Sequence, residues 1–241
     1  MRLDLLLVAR GLAPTREKAQ AMIMAGAVLV NDRPAEKAGA NVAEDADVRI
    51  RGNPIPFVSR GGLKLAHALQ AFAIPVEGLT ALDVGISTGG FTDCLLQAGA
   101  ARVYGVDVGR GQVAWKLRQD PRVVLFEGVN FRGFDPASLP GPVDLAVVDC
   151  SFISLTLILP VVHGCVKPGG TVLPLVKPQF EVGRESVGRR GVVRDEALRL
   201  AAVDKVSTFA RQSGYEVLGS TESPITGPEG NVEYLLHLRR I

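Results

Sequence analysis

Four polar residues of this 241-residue chain stand where an α/β protein usually does its chemistry. Asp149 follows the apolar run Val143–Val148, and Lys177 follows Leu173–Val176 and precedes Pro178. Glu233 sits in the last strand-like segment after Gly230-Asn231, and Lys64 opens a helix after Ser59-Arg60-Gly61-Gly62. Open α/β sheets carry their ligand sites beyond strand ends and in the adjoining loops. Two amines and two carboxylates brought together there can orient a hydroxyl and help its proton leave. Each residue alone also has a plain structural explanation: a solvated helix lysine, a strand-terminal cap, an exposed loop lysine, an edge-strand charge. Only their convergence makes a site.

A second feature is a ligand loop. The apolar segment 80–84 runs into Asp83-Val84-Gly85-Ile86-Ser87-Thr88-Gly89-Gly90, where glycines allow a sharp turn and close backbone approach at a helix N-terminus. About twenty residues later the next strand ends in Asp107, an acid placed to accept hydrogen bonds from ribose hydroxyls. The dinucleotide pattern GxGxxG is missing, and no Lys-Ser or Lys-Thr follows the second glycine as a phosphate loop requires. A GxxxGG loop with an acid before it suits S-adenosylmethionine, whose sulfonium and amino groups are positive, better than a pyrophosphate, which needs amide dipoles. Cofactor contacts are therefore expected from Asp83, Gly85, Ser87, Thr88, Gly89, Gly90 and Asp107. A tight structural turn is the alternative.

The elements that must hold these residues are legible in the hydrophobic pattern. Segments 80–84, 102–107, 122–126, 143–148 and 171–176 read as buried strands, with helical stretches such as 91–98 and 111–118 between them. That alternation predicts an α/β fold, a doubly wound and mostly parallel Rossmann-like sheet. Tyr215–Leu218 and Val232–Leu238 predict an antiparallel pair at its C-terminal edge. Residues 1–50 predict a small α/β domain. Its first helix carries Leu3, Leu5, Leu6 and Leu7 and stops at Gly11. A second, N-capped by Thr15 with Glu17 in its first turn, carries Ala19, Met22 and Ile23 and ends at Gly26. Strands at 28–30 and 48–50 follow, with a turn at Asn31-Asp32. Gly52-Asn53-Pro54-Ile55-Pro56 disfavours helix and ladder alike, so 51–58 is expected to be a linker and 59–241 the large domain.

A formal net charge of +2 is too small to announce a nucleic-acid partner, so its distribution has to be read instead. Basic residues recur at Arg2, Arg10, Arg16, Lys18, Arg33 and Lys37, and again at Arg184, Arg189 and Arg190. With Arg60 these are the candidate RNA-phosphate contacts, solvated surface charge being the alternative. No apolar run reaches the roughly 18–20 residues of a membrane span, and no secretory signal is evident. Cys94, Cys150 and Cys165 are odd in number and form no CxxC pair, which favours reduced thiols over a zinc site or disulfides. A cytoplasmic chain with no metal is expected.

Five phrases carry a family resemblance: Phe57-Val58-Ser59-Arg60-Gly61-Gly62-Leu63-Lys64, Asp83–Asp93, Asp149-Cys150-Ser151-Phe152-Ile153-Ser154-Leu155, Leu175-Val176-Lys177-Pro178-Gln179-Phe180-Glu181 and Gly227-Pro228-Glu229-Gly230-Asn231-Val232-Glu233. They resemble those of the TlyA family, bacterial rRNA 2′-O-methyltransferases with an FtsJ-like catalytic domain, and the resemblance covers essentially the whole chain. It implies that residues 1–50 adopt the RNA-binding fold of ribosomal protein S4. It further implies S-adenosylmethionine as cofactor and ribosomal RNA or a ribosomal subunit, with no membrane, as partner. The family's Lys-Asp-Lys-Glu tetrad falls on Lys64, Asp149, Lys177 and Glu233. Two positions depart from the pattern. Ile86 stands where the loop more usually has alanine, which is expected to reshape the cofactor pocket. Glu127–Arg132 keeps the acid, Asn130 and Arg132 with a phenylalanine between them, making Glu127 and Asn130 the adenine-side candidates.

The chemistry so implied suits the residue types. A ribose hydroxyl is a poor nucleophile and a sulfonium methyl a good electrophile, so the enzyme must align the two and help a proton leave. Lys177 is the candidate base. Nearby Lys64 would favour its neutral form, while Asp149 and Glu233 would favour the charged one; a purely orienting role for both lysines stays open. In the resembled family, longer members modify cytidines in both ribosomal subunits and shorter ones only the large subunit. Here the first helix starts almost at Met1 and eight residues follow Glu233, so a large-subunit cytidine is expected. The competing readings are a membrane-active haemolysin-like protein, an RNA-binding protein without catalysis, and a nicotinamide dehydrogenase, the last opposed by its missing fingerprint.

Overall fold

The computed structural model describes residues 1–241 except 32, 52–54, 184, 185, 189, 190 and 228. Arg184, Arg189, Arg190, turn residue Asp32 and the centre of the expected linker thus lie outside the described residues. The chain divides into two compact units, Met1–Ile55 and Pro56–Ile241.

In the first unit, helices α1 (Leu3–Ala9) and α2 (Arg16–Met24) precede strands β1 (Val28–Val30), β2 (Arg33–Pro34) and β3 (Val48–Ile50), which form an antiparallel sheet with β1 in the middle. Leu3, Leu6 and Leu7 share one helical face at i, i+3, i+4 spacing and pack with Ala19, Ile23, Val28 and Val48 in a single core. Thr15 accepts the Lys18 backbone N–H at 3.2 Å, capping α2 as its sequence predicts. At the foot of this core Asp4 is fully buried. It accepts from Arg2 Nη2 at 2.9 Å, Arg16 Nε at 3.0 Å and Gln20 Nε2 at 2.9 Å. The Arg2 guanidinium, aided by Gln20 and Arg16, holds the Asp4 carboxyl well below the usual carboxylate range.

The second unit opens with helix α3 (Gly61–Ala71) and then alternates: β4 (Thr80–Val84), α4 (Gly90–Gln97), β5 (Arg102–Asp107), α5 (Trp115–Arg118), β6 (Val123–Glu127), β7 (Val143–Val148), α6 (Leu159–Cys165) and β8 (Val166–Val176). After α7 (Pro178–Glu181) and α8 (Glu196–Gln212) come β9 (Tyr215–Glu222) and β10 (Tyr234–Arg240). Among the described residues the strands form one sheet in the order β6-β5-β4-β7-β8-β10-β9. It is parallel from β6 to β8, and β10 runs antiparallel between β8 and β9. The edge pair is therefore antiparallel, with the C-terminal strand one place in from the edge.

Side-chain alternation explains why this sheet is covered on both faces. On β7, Leu145 and Val147 join the core that holds Leu65, Phe91 and Leu95, while Ala146 and Val148 join the one that holds Leu159, Val162 and Val206. All four are fully buried, so Leu145→Ala would cost about 2–5 kcal/mol through lost transfer energy and the cavity left behind.

Beyond shifted ends, such as β8 starting at Val166, β9 running to Glu222 and α3 opening at Gly61 ahead of Lys64, two differences from the sequence reading bear on the site. Residues 111–114 are not helical; α5 keeps only Trp115–Arg118. Gly111 takes φ +71° and gives its N–H to Glu127, and Ala114 gives its own to the Thr88 carbonyl, so this stretch is bound as a loop. Glu233 lies just before β10 rather than within a strand starting at Val232. The reason is Asn231, whose side chain accepts the Val193 N–H and donates to the Gly191 carbonyl, and whose own carbonyl accepts the Gly227 N–H. These bonds bend the chain until Glu233.

Candidate active site

The ends of β4, β7 and β8, the start of α3 and the turn before β10 all point side chains at one cavity of about 360 Å³. Lys64, Asp149, Lys177 and Glu233 line it together, with Ser59, Arg60, Ser151 and residues 85–88 and 90 of the loop. Lys64 Nζ is paired with Glu233 Oε2, both side chains being buried. Lys177 Nζ lies 2.6 Å from Asp149 Oδ1, a charge contact without the alignment of a hydrogen bond, and donates to Ser151 Oγ at 2.9 Å. The four charges are thus arranged as two ion pairs facing a shared space.

A second cavity, about 450 Å³, adjoins the first: Gly85, Ser87, Asp149 and Ser151 line both. It also takes in Asp107, Gln112, Asn130, Phe131, Phe152 and Ile153, and its size is within the roughly 300–1,000 Å³ of small-molecule sites. The loop at the junction needs its glycines. Gly85 has φ +84°, and a Cβ there would lie 2.6 Å from the Asp149 carbonyl oxygen, so any side chain would drive apart β4 and the Asp149 strand end. A Cβ on Gly90 would meet Ser59 Oγ at 2.2 Å and the Gly62 nitrogen at 2.9 Å, so the start of α4 can lie against the start of α3 only as glycine.

At the end of β5, Asp107 accepts the Ser87 N–H at 2.8 Å on one oxygen and the Gly109 N–H at 2.7 Å on the other. A carboxylate oxygen has two acceptor positions, so one remains on each for a hydroxyl in the cavity. Asn130 lines the same cavity and caps the following turn by accepting the Arg132 N–H.

Of the nine residues expected at the cofactor, Gly85, Ser87, Thr88, Gly90, Asp107 and Asn130 line one or both cavities; Asp83, Gly89 and Glu127 do not. Asp83 is fully buried beneath the loop and accepts from Thr92 Oγ1 at 2.7 Å. Desolvation, reinforced by the nearby Asp149 charge, pushes its carboxyl up to about 7. It cannot meet a cofactor cation directly, because it is below the surface the cofactor would touch. Gly89, at φ +98°, packs against Leu117. Glu127 is taken up by Arg118 and the Gly111 N–H and so fastens the 109–118 segment to β6. Ile86, expected to reshape the cofactor pocket, lines the first cavity but is 3% exposed and packs over Gly105, where a side chain would meet its Cδ1 at 2.4 Å.

The basic residues divide as well. Arg60 lines the first cavity and donates to the Thr226 carbonyl at 2.8 Å. Arg2 and Arg16 are held by Asp4, and Arg10 donates to the carbonyls of Ala46 and Glu44, so these three brace the first unit. Lys18, Arg33 and Lys37 are exposed.

Three residues escaped the sequence reading. Ser151 and Ser59 line the first cavity, and Phe152 is 91% exposed with φ +63°, its ring 5.2 Å from that of Phe180. The available signal was their place directly after Asp149 and before Lys64. Cys150, between Asp149 and Ser151, is an inert thiol pushed up to about 12 by burial.

Comparison with known proteins agrees with this geometry. The family described as FtsJ-like methyltransferase matches residues 57–240, and that described as S4 domain matches residues 1–48. The chain is 48% identical over 239 residues to the 16S/23S rRNA (cytidine-2′-O)-methyltransferase TlyA of Mycobacterium tuberculosis, covering 99% of this chain and 89% of that one. It is 33% identical over 182 residues to the 23S rRNA (cytidine-2′-O)-methyltransferase TlyA of Campylobacter jejuni, covering 75% of this chain and 70% of that one. Among solved structures, a Streptococcus thermophilus protein described as a hemolysin superposes with a TM-score of 0.79 at 44% identity, covering 100% of this chain and 88% of its own.

Proposed function

Since the chain belongs to the FtsJ-like methyltransferase family, with an S4 domain at its head, we propose that it methylates the ribose 2′-hydroxyl of a cytidine in ribosomal RNA, using S-adenosylmethionine. One observation carries this reading: two adjoining cavities, one lined by two lysine–carboxylate pairs and the other by Asp107, meet at Gly85, Ser87, Asp149 and Ser151. A methyl donor in one and an acceptor hydroxyl in the other would face each other across that seam.

The residues present fit the cofactor. Gly85 leaves room for a ligand against the loop, and Asp107 keeps an acceptor position on each oxygen for a pair of ribose hydroxyls. Asn130 and Phe131 line the same cavity and would hold the adenine base. When bound, the cofactor supplies an electrophilic methyl on a sulfonium. The protein's own part is alignment and proton removal. Having first released a proton to solvent, Lys177 Nζ, steadied by Ser151, takes the hydroxyl proton, and Asp149 at 2.6 Å stabilises the ammonium that re-forms. Lys64, neutralised by Glu233, donates to and orients the ribose oxygen.

The proposed location is the cytoplasm, where ribosomal subunits are found. Among the described residues no helix is long and apolar enough to cross a membrane. The hemolysin description of one relative leaves a lytic reading to be tested, and dye release from liposomes on adding the pure protein would support it. The large subunit is the proposed substrate, since 23S rRNA is common to the names of both relatives while 16S appears in the name of the Mycobacterium tuberculosis one alone. Separated subunits incubated with methyl-labelled cofactor should take label in the large one alone. Comparable label in the small subunit would overturn that restriction.

A further inference from the structure

Glu181 ends α7, four residues after Lys177, and is 5% exposed although charged. Its partners explain how a buried carboxylate is tolerated there. One oxygen accepts the Leu155 N–H at 2.7 Å; the other accepts Ser154 Oγ–H at 2.6 Å and lies 3.3 Å from Lys205 Nζ of α8. Lys205 also donates to the Glu181 carbonyl at 2.6 Å. Ser154 and Leu155 close the loop that begins at Asp149 and carries Ser151 and Phe152. The other end of that loop is fixed by the sheet, where the Asp149 N–H donates to the Val84 carbonyl at 2.9 Å.

Two segments therefore leave the sheet side by side, one from Asp149 and one from Lys177, and one buried carboxylate ties their far ends together. Between the tie and the sheet lie the two contacts that set the position of Lys177 Nζ: its bond to Ser151 and its ion contact with Asp149. The Phe152–Phe180 ring contact spans the same gap. From this arrangement we propose that Glu181 is a positioning residue of the methyl-transfer reaction, holding the Asp149–Ser154 loop in register with Lys177; the proposal rests on the function given above. Its hydrogen-bond partners Ser154, Leu155 and Lys205 do not line the cofactor cavity at Asp107, although the loop they close borders it at Asp149–Ile153. Loss of Glu181 should therefore act chiefly on the acceptor side through Lys177 and less on the donor side.

The test uses the full chain with Glu181→Ala, Glu181→Gln and Ser154→Ala, each assayed well below its own melting temperature. Glu181→Ala should lower kcat about 100-fold, the scale of a misplacement near 1 Å, with KM for S-adenosylmethionine within about threefold of wild type. Gln keeps an acceptor for the Leu155 N–H and should restore most of kcat, and Ser154→Ala, which removes one of the ties, should lose less than Glu181→Ala. A bracing role in stability alone would lower the melting temperature and leave kcat per folded molecule unchanged. That result, or a rise in cofactor KM at unchanged kcat, would overturn the proposal; should Glu181→Ala not fold, Ser154→Ala with wild-type kcat would do so. Wild-type enzyme without methyl transfer would instead defeat the assigned function.

Discussion

Two aspartates, one in each unit, are fully buried and titrate in opposite directions. Asp4 sits in the N-terminal unit among Arg2, Arg16 and Gln20 and is held ionised; Asp83 lies under the ligand loop, where Thr92 Oγ1 donates to it and no cation faces it among the described residues, and desolvation pushes it up to about 7. Asp4 is covered by arginines that themselves reach solvent, whereas Asp83 lies deep in the second unit, so depth and partners together set the sign. The lesson extends to the cations. In the first unit arginines are drawn onto a carboxylate to close a small core, and those side chains serve the fold. In the second, each lysine of the candidate site also faces a carboxylate, but the pairs border open space where a substrate can enter.

That contrast is sharpest in function. Lys177→Ala should reduce methyl transfer by about 10²–10⁴-fold, the range of general acid–base catalysis, while cofactor and RNA binding persist. Arg16→Ala also removes a cation from a carboxylate, yet it should leave turnover per folded molecule near normal and loosen the N-terminal unit, read as faster amide exchange in α1 and α2. Equal loss of turnover in both would erase the distinction.

The two aspartates make a pH test. Asp83 binds its proton more tightly in the folded state, so its stabilising contribution is full below about pH 4 and is lost as pH rises through about 7. Asp4 behaves in reverse: its contribution is present above the ordinary carboxylate range and is lost as pH falls through and below it. Asp83→Asn should therefore flatten the decline of stability between about pH 4 and 7, by an amount on the order of a few kcal/mol across the whole range. Denaturant melts at several pH values check this, and an unchanged slope would mean that Asp83 is ionised when folded. Asp4→Asn should remove acid sensitivity from the first unit only.

Smaller effects follow on the ligand side. Asp107→Ala should weaken S-adenosylmethionine binding by about 1.5–3 kcal/mol, measured by calorimetry on folded protein; unchanged affinity would detach Asp107 from the cofactor. Smallest is Lys18→Ala, which should weaken RNA binding modestly and lower the salt dependence by about one phosphate contact. The same change at Arg10, whose guanidinium is bound to Ala46 and Glu44 carbonyls, should alter the salt slope less.

Sequence legibility followed the range of the interactions involved. Asp149 and Lys177 were readable because each ends an apolar run that can only be a buried strand, and Asp107 because the same rule holds one strand away. The loop glycines were readable from local backbone demands. Partners distant in the chain were not: nothing in Arg2-Leu3-Asp4 says that Arg16 and Gln20 will return to Asp4, and Glu127 looked like a ligand residue until Arg118 and Gly111 claimed it. The start of β10 was misplaced because Asn231 spends its side chain on Gly191 and Val193, residues some forty positions earlier. Periodicity finds strands, but it carries no information on which polar groups across the fold will bind each other.

The two lysine–carboxylate pairs are proposed to act on a ribose hydroxyl. The most direct test is to incubate the full chain with ribosomal subunits and methyl-labelled S-adenosylmethionine, then locate the label by resistance of the backbone to alkaline cleavage and by nucleoside analysis. One 2′-O-methylcytidine should appear in large-subunit rRNA, formed by wild type and not by Lys177→Ala. Label on a base, or no label from folded wild-type protein that binds both substrates, would contradict it.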